Sequence, residues 1–171
     1  DADRELPWDG VSSGELKVRG PWVCSGYFRL DDSPAHSEPG WFATGDVAVI
    51  HPNGFLQITD RAKDVIKSGG EWISSVDLEN CACGHAEVLM AAAIGVRHPK
   101  WDERPILLVV PRPGSQPQAE SILAHLALHF ARWQLPDAVV FVDALPMTAT
   151  GKINKRSLRD AYGQTLMNTT A

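Results

Sequence analysis

The sequence predicts an α+β fold, and three observations carry that reading. Residues 1 to about 60 alternate short apolar segments with Pro-, Gly- and Asp-containing turns, the pattern of strands without intervening helices. After Asp60-Arg61 the character changes, and strands alternate with helical segments. The helical segments carry their own punctuation, such as Ser74 before and Gly84 after residues 75 to 83. The seam divides the chain into a β segment, 1-60, and an α+β domain, 61-171.

The elements follow in order. Glu15-Leu16-Lys17-Val18-Arg19 alternates polar and apolar residues, a strand with one buried face. Residues 23 to 28 read as a second strand. Asp31-Asp32-Ser33-Pro34 and Ser37-Glu38-Pro39-Gly40 are loops. Residues 47 to 51 and 55 to 59 flank Pro52-Asn53-Gly54, a hairpin signal. Val65-Ile66 and Trp72-Ile73 are short strands around Gly69-Gly70. A helix covers 75 to 83, with Ser74 as N-cap and Asp77 and Glu79 in its first turns. Residues 88 to 96 and 106 to 110 are buried strands. Residues 119 to 131 form a helix with Ile122, Leu123, Leu126 and Phe130 on one face. A strand over 138 to 142 and a helix over 154 to 162, ended by Gly163, complete the order. The tail from 164 to 171 is expected to fray. Strands 1-60 should leave open edges and exposed apolar groups such as Trp22, Val23 and Phe28.

Composition bounds the function. The 171 residues are 44% hydrophobic and 22% charged, which supports a packed core. Net charge is -5, and no block of lysine and arginine stands out, so nucleic acid and anionic membrane are excluded as partners at this level. No apolar run approaches the ~20 residues of a membrane span. The three cysteines, an odd number, fit a reducing cytoplasm better than a disulfide framework. The chain opens on Asp1-Ala2-Asp3-Arg4 without an initiator Met, which suggests a fragment or a processed piece. Cys81, Cys83 and His85 imitate a metal cluster. Their i, i+2 spacing on a helix sends the two thiols to different faces, and buried structural cysteine with no metal is the expectation.

Pro146-Met147-Thr148-Ala149-Thr150-Gly151-Lys152-Ile153 places a lysine on a loop of small residues between a strand and a basic helix. That context suits delivery of an ammonium to phosphate or carboxylate. It is not a P-loop: Pro146 stands where the first glycine is needed, and Ile153 where a hydroxyl should hold magnesium. Three further segments precede it in order: Gly14-Glu15-Leu16 with Gly26-Tyr27, then Gly40-Trp41-Phe42-Ala43-Thr44-Gly45-Asp46, then Asp60-Arg61-Ala62-Lys63-Asp64 through Glu79. Together the four segments resemble the C-terminal third of an acyl-CoA synthetase of the adenylate-forming superfamily. Lys67-Ser68-Gly69-Gly70-Glu71-Trp72-Ile73-Ser74-Ser75 is most similar to the medium- and long-chain fatty acid ligases.

The resemblance implies two steps: ATP and a carboxylic acid give acyl-adenylate, and CoA then gives the thioester and AMP. It implies a small mobile C-terminal domain, 61-171, preceded by the last strands of a large N-terminal domain, with ATP and Mg2+ held mainly by that large domain and CoA as co-substrate. Asp46 is implied to accept bonds from the ribose hydroxyls of ATP; by itself it also reads as a turn residue after Gly45. Ile58 is implied to pack on the nucleotide, and is equally a core strand residue. Arg61 suits the ribose and phosphate region, or a surface ion pair with Asp60 or Asp64. Lys63 sits at the implied hinge. Lys67, Gly69, Gly70 and Trp72 are implied in the CoA step, where paired glycines allow close approach to the pantetheine arm; the spacing also fits a plain hairpin turn. Lys152 is implied to bridge the substrate carboxylate and the α-phosphate, against the reading of a solvated lysine before a helix. His98, Trp101, Asp102 and Glu103 form a polar-aromatic loop that reads as a surface or CoA-contacting loop and not as a catalytic one, and Asp137 and Asp143 flank a strand without needing a function. The phosphate loop, adenine-binding segment and acyl pocket that relatives carry upstream are absent from this sequence. Three readings stand: part of a fatty acyl-CoA synthetase, inactive alone; a related ligase for an aryl or other acid; or a non-catalytic binding module.

Overall fold

The computed structural model describes residues 4–30 and 33–167. The expected loop at Asp31-Asp32 and the last four residues of the tail lie outside the described residues. The chain forms two compact units, residues 1–63 and 64–171.

The first unit is built on three antiparallel strands in sequential order, β1 (Gly14–Val18), β2 (Phe42–Ile50) and β3 (Leu56–Arg61). The β2–β3 hairpin closes as Pro52-Asn53-Gly54 predicts: His51 N donates to Phe55 O at 2.8 Å. β2 starts earlier than expected, because Phe42 and Ala43 pair with Val18 and Lys17. Residues 23 to 28 do not form the expected strand. Arg29 adopts φ +58°, only Tyr27 bridges to Leu30, and Tyr27, His36 and Phe42 pack ring against ring at centroid distances of 5.2–6.3 Å. That aromatic packing holds the segment in turns instead of a ladder. Pro34–His36 is a 3₁₀ turn where a loop was expected, opened by the fixed φ of Pro34. Val47, Ala48 and Val49 are buried, while Trp22 is 97% and Phe28 88% exposed, so this unit has little core of its own.

The second unit is an α+β sandwich. Its sheet runs β5 (Glu71–Ile73), β4 (Ile66–Ser68), β7 (Asp102–Pro111), β6 (Val88–His98), with β8 (Ala138–Phe141) also on β7. β6 and β7 form a long hairpin, and β8 runs parallel to β7 after a crossover through α2 (Ala119–Leu126). Alternation along β6 divides the core. Ala91 and Ala93 face α1 (Ser75–Cys83) and α2 through Leu78, Ala82, Ile122 and Leu126. Ala92, Ile94 and Val96 face α3 (Lys155–Tyr162) through Leu158, with Leu145 beside it. Both faces are covered, which is why β6 and β7 read as near-continuous apolar runs.

Ser74 caps α1 as predicted. Ser74 Oγ accepts from Asp77 N at 3.1 Å and Asn154 Oδ1 from Ser157 N at 3.2 Å, so Asn154 caps α3 instead of lying in it. α2 ends five residues before its expected limit of 131. Ala131 is extended and a 3₁₀ turn, Arg132–Gln134, follows, which brings the chain back to start β8 beside Ile106. Residues 164–167 are not frayed. Thr165 N and Met167 N close turns on Tyr162 O and Gln164 O, and Leu166 packs on the α3-side core.

A charged group lies inside this apolar sheet. Arg104 on β7 is 8% exposed. Its Nε and Nη2 reach Asp137 at 2.6–3.0 Å, Nη1 donates to Ser68 Oγ at 3.0 Å and to Trp133 O, and Nη2 donates to Leu135 O at 2.9 Å. Arg104 is buried while the Asp137 side chain is 32% exposed, so losing Asp137 leaves the guanidinium buried without its counter-charge. Arg104→Ala and Asp137→Ala should each destabilise the second unit by about 3 kcal/mol in urea unfolding. The double substitution should cost much less than the sum, since both singles remove one shared interaction.

Candidate functional site

In the first unit the β2–β3 register sets Asp46 opposite Arg61, and Arg61 Nη1 meets Asp46 Oδ1 at 2.7 Å. Of the ion pairs considered from sequence for Arg61, with Asp60 or Asp64, neither is the one formed. The Asp46 side chain is 17% exposed and that of Arg61 57%, so the pair presents its cationic end to solvent. Gly45 precedes it at φ +75°, and Ala62 N donates to Gly45 O at 2.9 Å, closing the turn around Asp46. Thr44 Oγ1 donates to Leu16 O and accepts from Asp46 N, fixing the carboxylate's backbone. Ile58 lies opposite Ala48 on the same hairpin and is 55% exposed, so it is not a core residue of this unit. A carboxylate, a guanidinium and an apolar side chain thus share one two-stranded ribbon. Lys63 is the last residue of the first unit.

In the second unit Lys67 and Trp72 face each other across the β4–β5 hairpin, with Lys67 Nζ 5.9 Å from the indole centroid. Gly69 and Gly70 form its turn at φ +60° and +90°. Gly69 N donates to Trp101 O at 2.9 Å, and a Cβ on Gly69 would lie 2.9 Å from the Trp101 ring. Gly70 has open space around it. The polar-aromatic loop after β6 therefore supports this turn. His98 Nδ1 accepts from the backbone N of Lys100 and Trp101, and Lys100 Nζ sits 4.5 Å from the Trp101 centroid.

Lys152 stands at the tip of a small hairpin. Met147 bridges to Ile153, Thr148 N donates to Lys152 O at 2.7 Å, and Gly151 takes φ +76°. Thr148 Oγ1 accepts from Lys152 N at 3.1 Å, so the small hydroxyl residues build the turn themselves. The side chain is exposed. The hairpin's place follows from its neighbours. β8 ends with Phe141 beside Val109, and α3 runs from Lys155, bonded to Glu79, to Gly163, bonded to Arg97. Glu79 also holds Ala93 N. The Lys152 hairpin joins those two starting points, at the end of the sheet away from the 98–102 turn that supports Gly69.

The cysteines differ from expectation. Cys83 is exposed, and Cys81 is half-buried, its burial raising the thiol above the ordinary range. His85 Nε2 lies 3.0 Å from Ser121 Oγ. Sequence reading missed Arg104, took Thr44 only as part of a motif, left Glu103 in a surface or CoA-contacting loop, and gave Asp137 no function. The one available signal was a charged pair, Glu103-Arg104, set directly against the apolar run from Ile106.

Residues 77–152 match the AMP-binding enzyme C-terminal domain. Through residues 77–152 the chain belongs to the family of AMP-binding enzyme C-terminal domains. It is 54% identical, over 97% of its length, to a 3-methylmercaptopropionyl-CoA ligase of Ruegeria lacuscaerulensis. It is 50% identical, again over 97% of its length, to a medium-chain-fatty-acid–CoA ligase of Ectopseudomonas oleovorans. It spans 31% and 30% of the length of these two relatives. Among solved structures, ATP-bound MatB from Rhodopseudomonas palustris superposes with a TM-score of 0.85 at 30% identity, covering 95% of this chain and 32% of that one. Among the described residues no helix is long and apolar enough to cross a membrane.

The two glycines of the β4–β5 hairpin should respond differently. Gly69→Ala should displace Trp101, seen as a shifted indole resonance in an NMR spectrum of the chain. Gly70→Ala should leave that resonance in place and cost only left-handed strain, about 1–2 kcal/mol.

Proposed function

We propose that the chain is the C-terminal portion of an acyl-CoA ligase: a carboxylate attacks the α-phosphorus of ATP and pyrophosphate leaves, then the CoA thiolate attacks the acyl carbonyl and AMP leaves. The observation that carries this reading is the placement of two functional turns, Lys152 and Lys67–Gly70, toward opposite ends of one sheet. A rigid body with two such turns can offer them in succession by turning. Lys152 supplies the ammonium that meets charge developing between carboxylate and α-phosphate. Asp46 accepts from the ribose hydroxyls, Arg61 moves from its pair with Asp46 toward the ribose and phosphates, and Ile58 covers the nucleotide. Lys67, Gly69, Gly70 and Trp72 line the way for pantetheine.

Residues 1-60 serve as the last strands of a large nucleotide-holding domain, and 61-171 as the mobile domain, turning at Lys63. The division of the chain after Lys63 supports that hinge. ATP arrives with Mg2+, held by segments that relatives carry upstream, and the enzyme works in the cytoplasm. A medium- or long-chain fatty acid is the substrate; the 50% identity to the medium-chain ligase supports it. A second reading, another carboxylic acid, is favoured by the 54% identity to the 3-methylmercaptopropionyl-CoA ligase. Thioester formation by the full-length protein over a panel of acids separates the two, and inactivity toward every acid would leave the non-catalytic module.

The purified 171-residue chain should form no acyl-CoA from acid, ATP and CoA. In the full-length protein, Lys152→Ala should slow adenylation by about 10²–10³-fold, the size expected for loss of one preorganised donor. It should largely spare thioester formation from supplied acyl-adenylate. Equal loss of both half-reactions with the fold intact would contradict the assignment.

A further inference from the structure

We propose that Glu103 and Arg104, at the start of β7, are positioning residues for the thioester step: they hold the Lys67–Gly70 turn in the geometry that meets CoA. The inference rests on the role given to that turn above. β4 is three residues long and pairs with β7 through one residue pair, Ser68 with Asp102. So short a ladder cannot by itself fix a turn that carries two left-handed glycines.

Three consecutive residues of the turn are tied instead to the segment around Asp102. Lys67 N donates to Glu103 Oε2 at 3.1 Å, Ser68 Oγ accepts from Arg104 Nη1 at 3.0 Å, and Gly69 N donates to Trp101 O at 2.9 Å. Ser68 is 6% and Arg104 8% exposed, so the central tie is shielded from water. Arg104 has its remaining donors on Asp137, Trp133 and Leu135, which makes it a fixed post. Glu103 reaches Lys67 only because β6 has no side chain where it crosses: a Cβ on Gly95 would lie 2.6 Å from Glu103 Oε2. Neither residue touches the reacting atoms in this reading. Each acts through the backbone it holds.

The two half-reactions distinguish positioning from simple support of the fold. The Lys152 hairpin lies toward the other end of the sheet, so loosening the Lys67–Gly70 turn should spare adenylation. A displacement of the order of 1 Å at a positioned group is enough to slow a step by up to about 10²-fold.

The test uses the full-length protein that carries this chain. Glu103→Ala and Ser68→Ala each remove one tie and leave Arg104 on Asp137. Each should lower thioester formation from supplied acyl-adenylate about tenfold, with acid-dependent pyrophosphate exchange within about twofold. Glu103→Gln keeps an acceptor oxygen and should recover most of the loss. Gly95→Ala should imitate Glu103→Ala, because its methyl displaces the same carboxylate. Hydrogen exchange at the Lys67 amide should quicken in Glu103→Ala and Gly95→Ala. Parallel loss of both half-reactions, or no recovery in Glu103→Gln, would overturn the proposal. Unchanged exchange at Lys67 would overturn it whatever the activity. If the unsubstituted protein forms no acyl-adenylate with any acid, the proposed function fails, and the exchange measurement still decides whether Glu103 holds the turn.

Discussion

A single buried guanidinium holds the second unit together where its sheet changes partner. β7 pairs with β4 at Asp102 and with β8 from Ile106 onward, both through the same edge. Arg104 lies between those two pairings. It bonds forward to Asp137 at the head of β8 and back to Ser68 on β4, and takes up two carbonyls of the intervening 3₁₀ turn region. Without it the strand edge between the pairings would leave buried polar groups unmet, and the ends of β4 and β8 would lose their common anchor. A planar fork with five donors does this; an ammonium with three, on a flexible stem, does not span the same set.

A further ion pair continues the same logic on the α3 side. Lys155 Nζ meets Glu79 Oε1 at 2.7 Å and Ser75 Oγ at 2.6 Å, joining α3 to α1 across the edge of β6. Both partners are largely buried, with side-chain exposures of 11% and 15%. Such pairs contribute less to net stability than to uniqueness of arrangement, because desolvation offsets much of their attraction. That is a useful property where the two faces of the sheet are both apolar and offer little to tell them apart.

The sequence was most readable where local chemistry decides the outcome. Ser74 and Pro52-Asn53-Gly54 act within a few residues, and the structure follows them. Reading failed where distant contacts decide. Residues 23 to 28 have strand composition but are captured by the Tyr27–His36–Phe42 rings. The apolar pattern of α2 runs on to Phe130, yet the return to β8 ends the helix at Leu126. The candidate site divides the same way. Gly69, Gly70 and Lys152 are visible as motif residues and stand in the turns their sequences specify. Arg104 is invisible as a site residue and Glu103 shows only as part of a polar loop, because their meaning comes from a turn more than thirty residues away in sequence. Trp101 was seen as part of a loop, but not as the support beneath Gly69.

The pair between Asp64 and Arg159, at 2.9 Å, joins the first residue of the second unit to its last helix. Asp64 is therefore a neighbour of α3, and the chain between Asp64 and Arg159 forms a nearly closed loop. A protein body with adjacent ends tolerates being reopened elsewhere, since the rejoined segment is short and the loop-closure cost small. The turn at Gly114, exposed between β7 and α2 at φ +81°, offers such a place. A circular permutant opened there would keep both layers of the core. It would also move the unit's covalent attachment from Asp64 to the far end of β7.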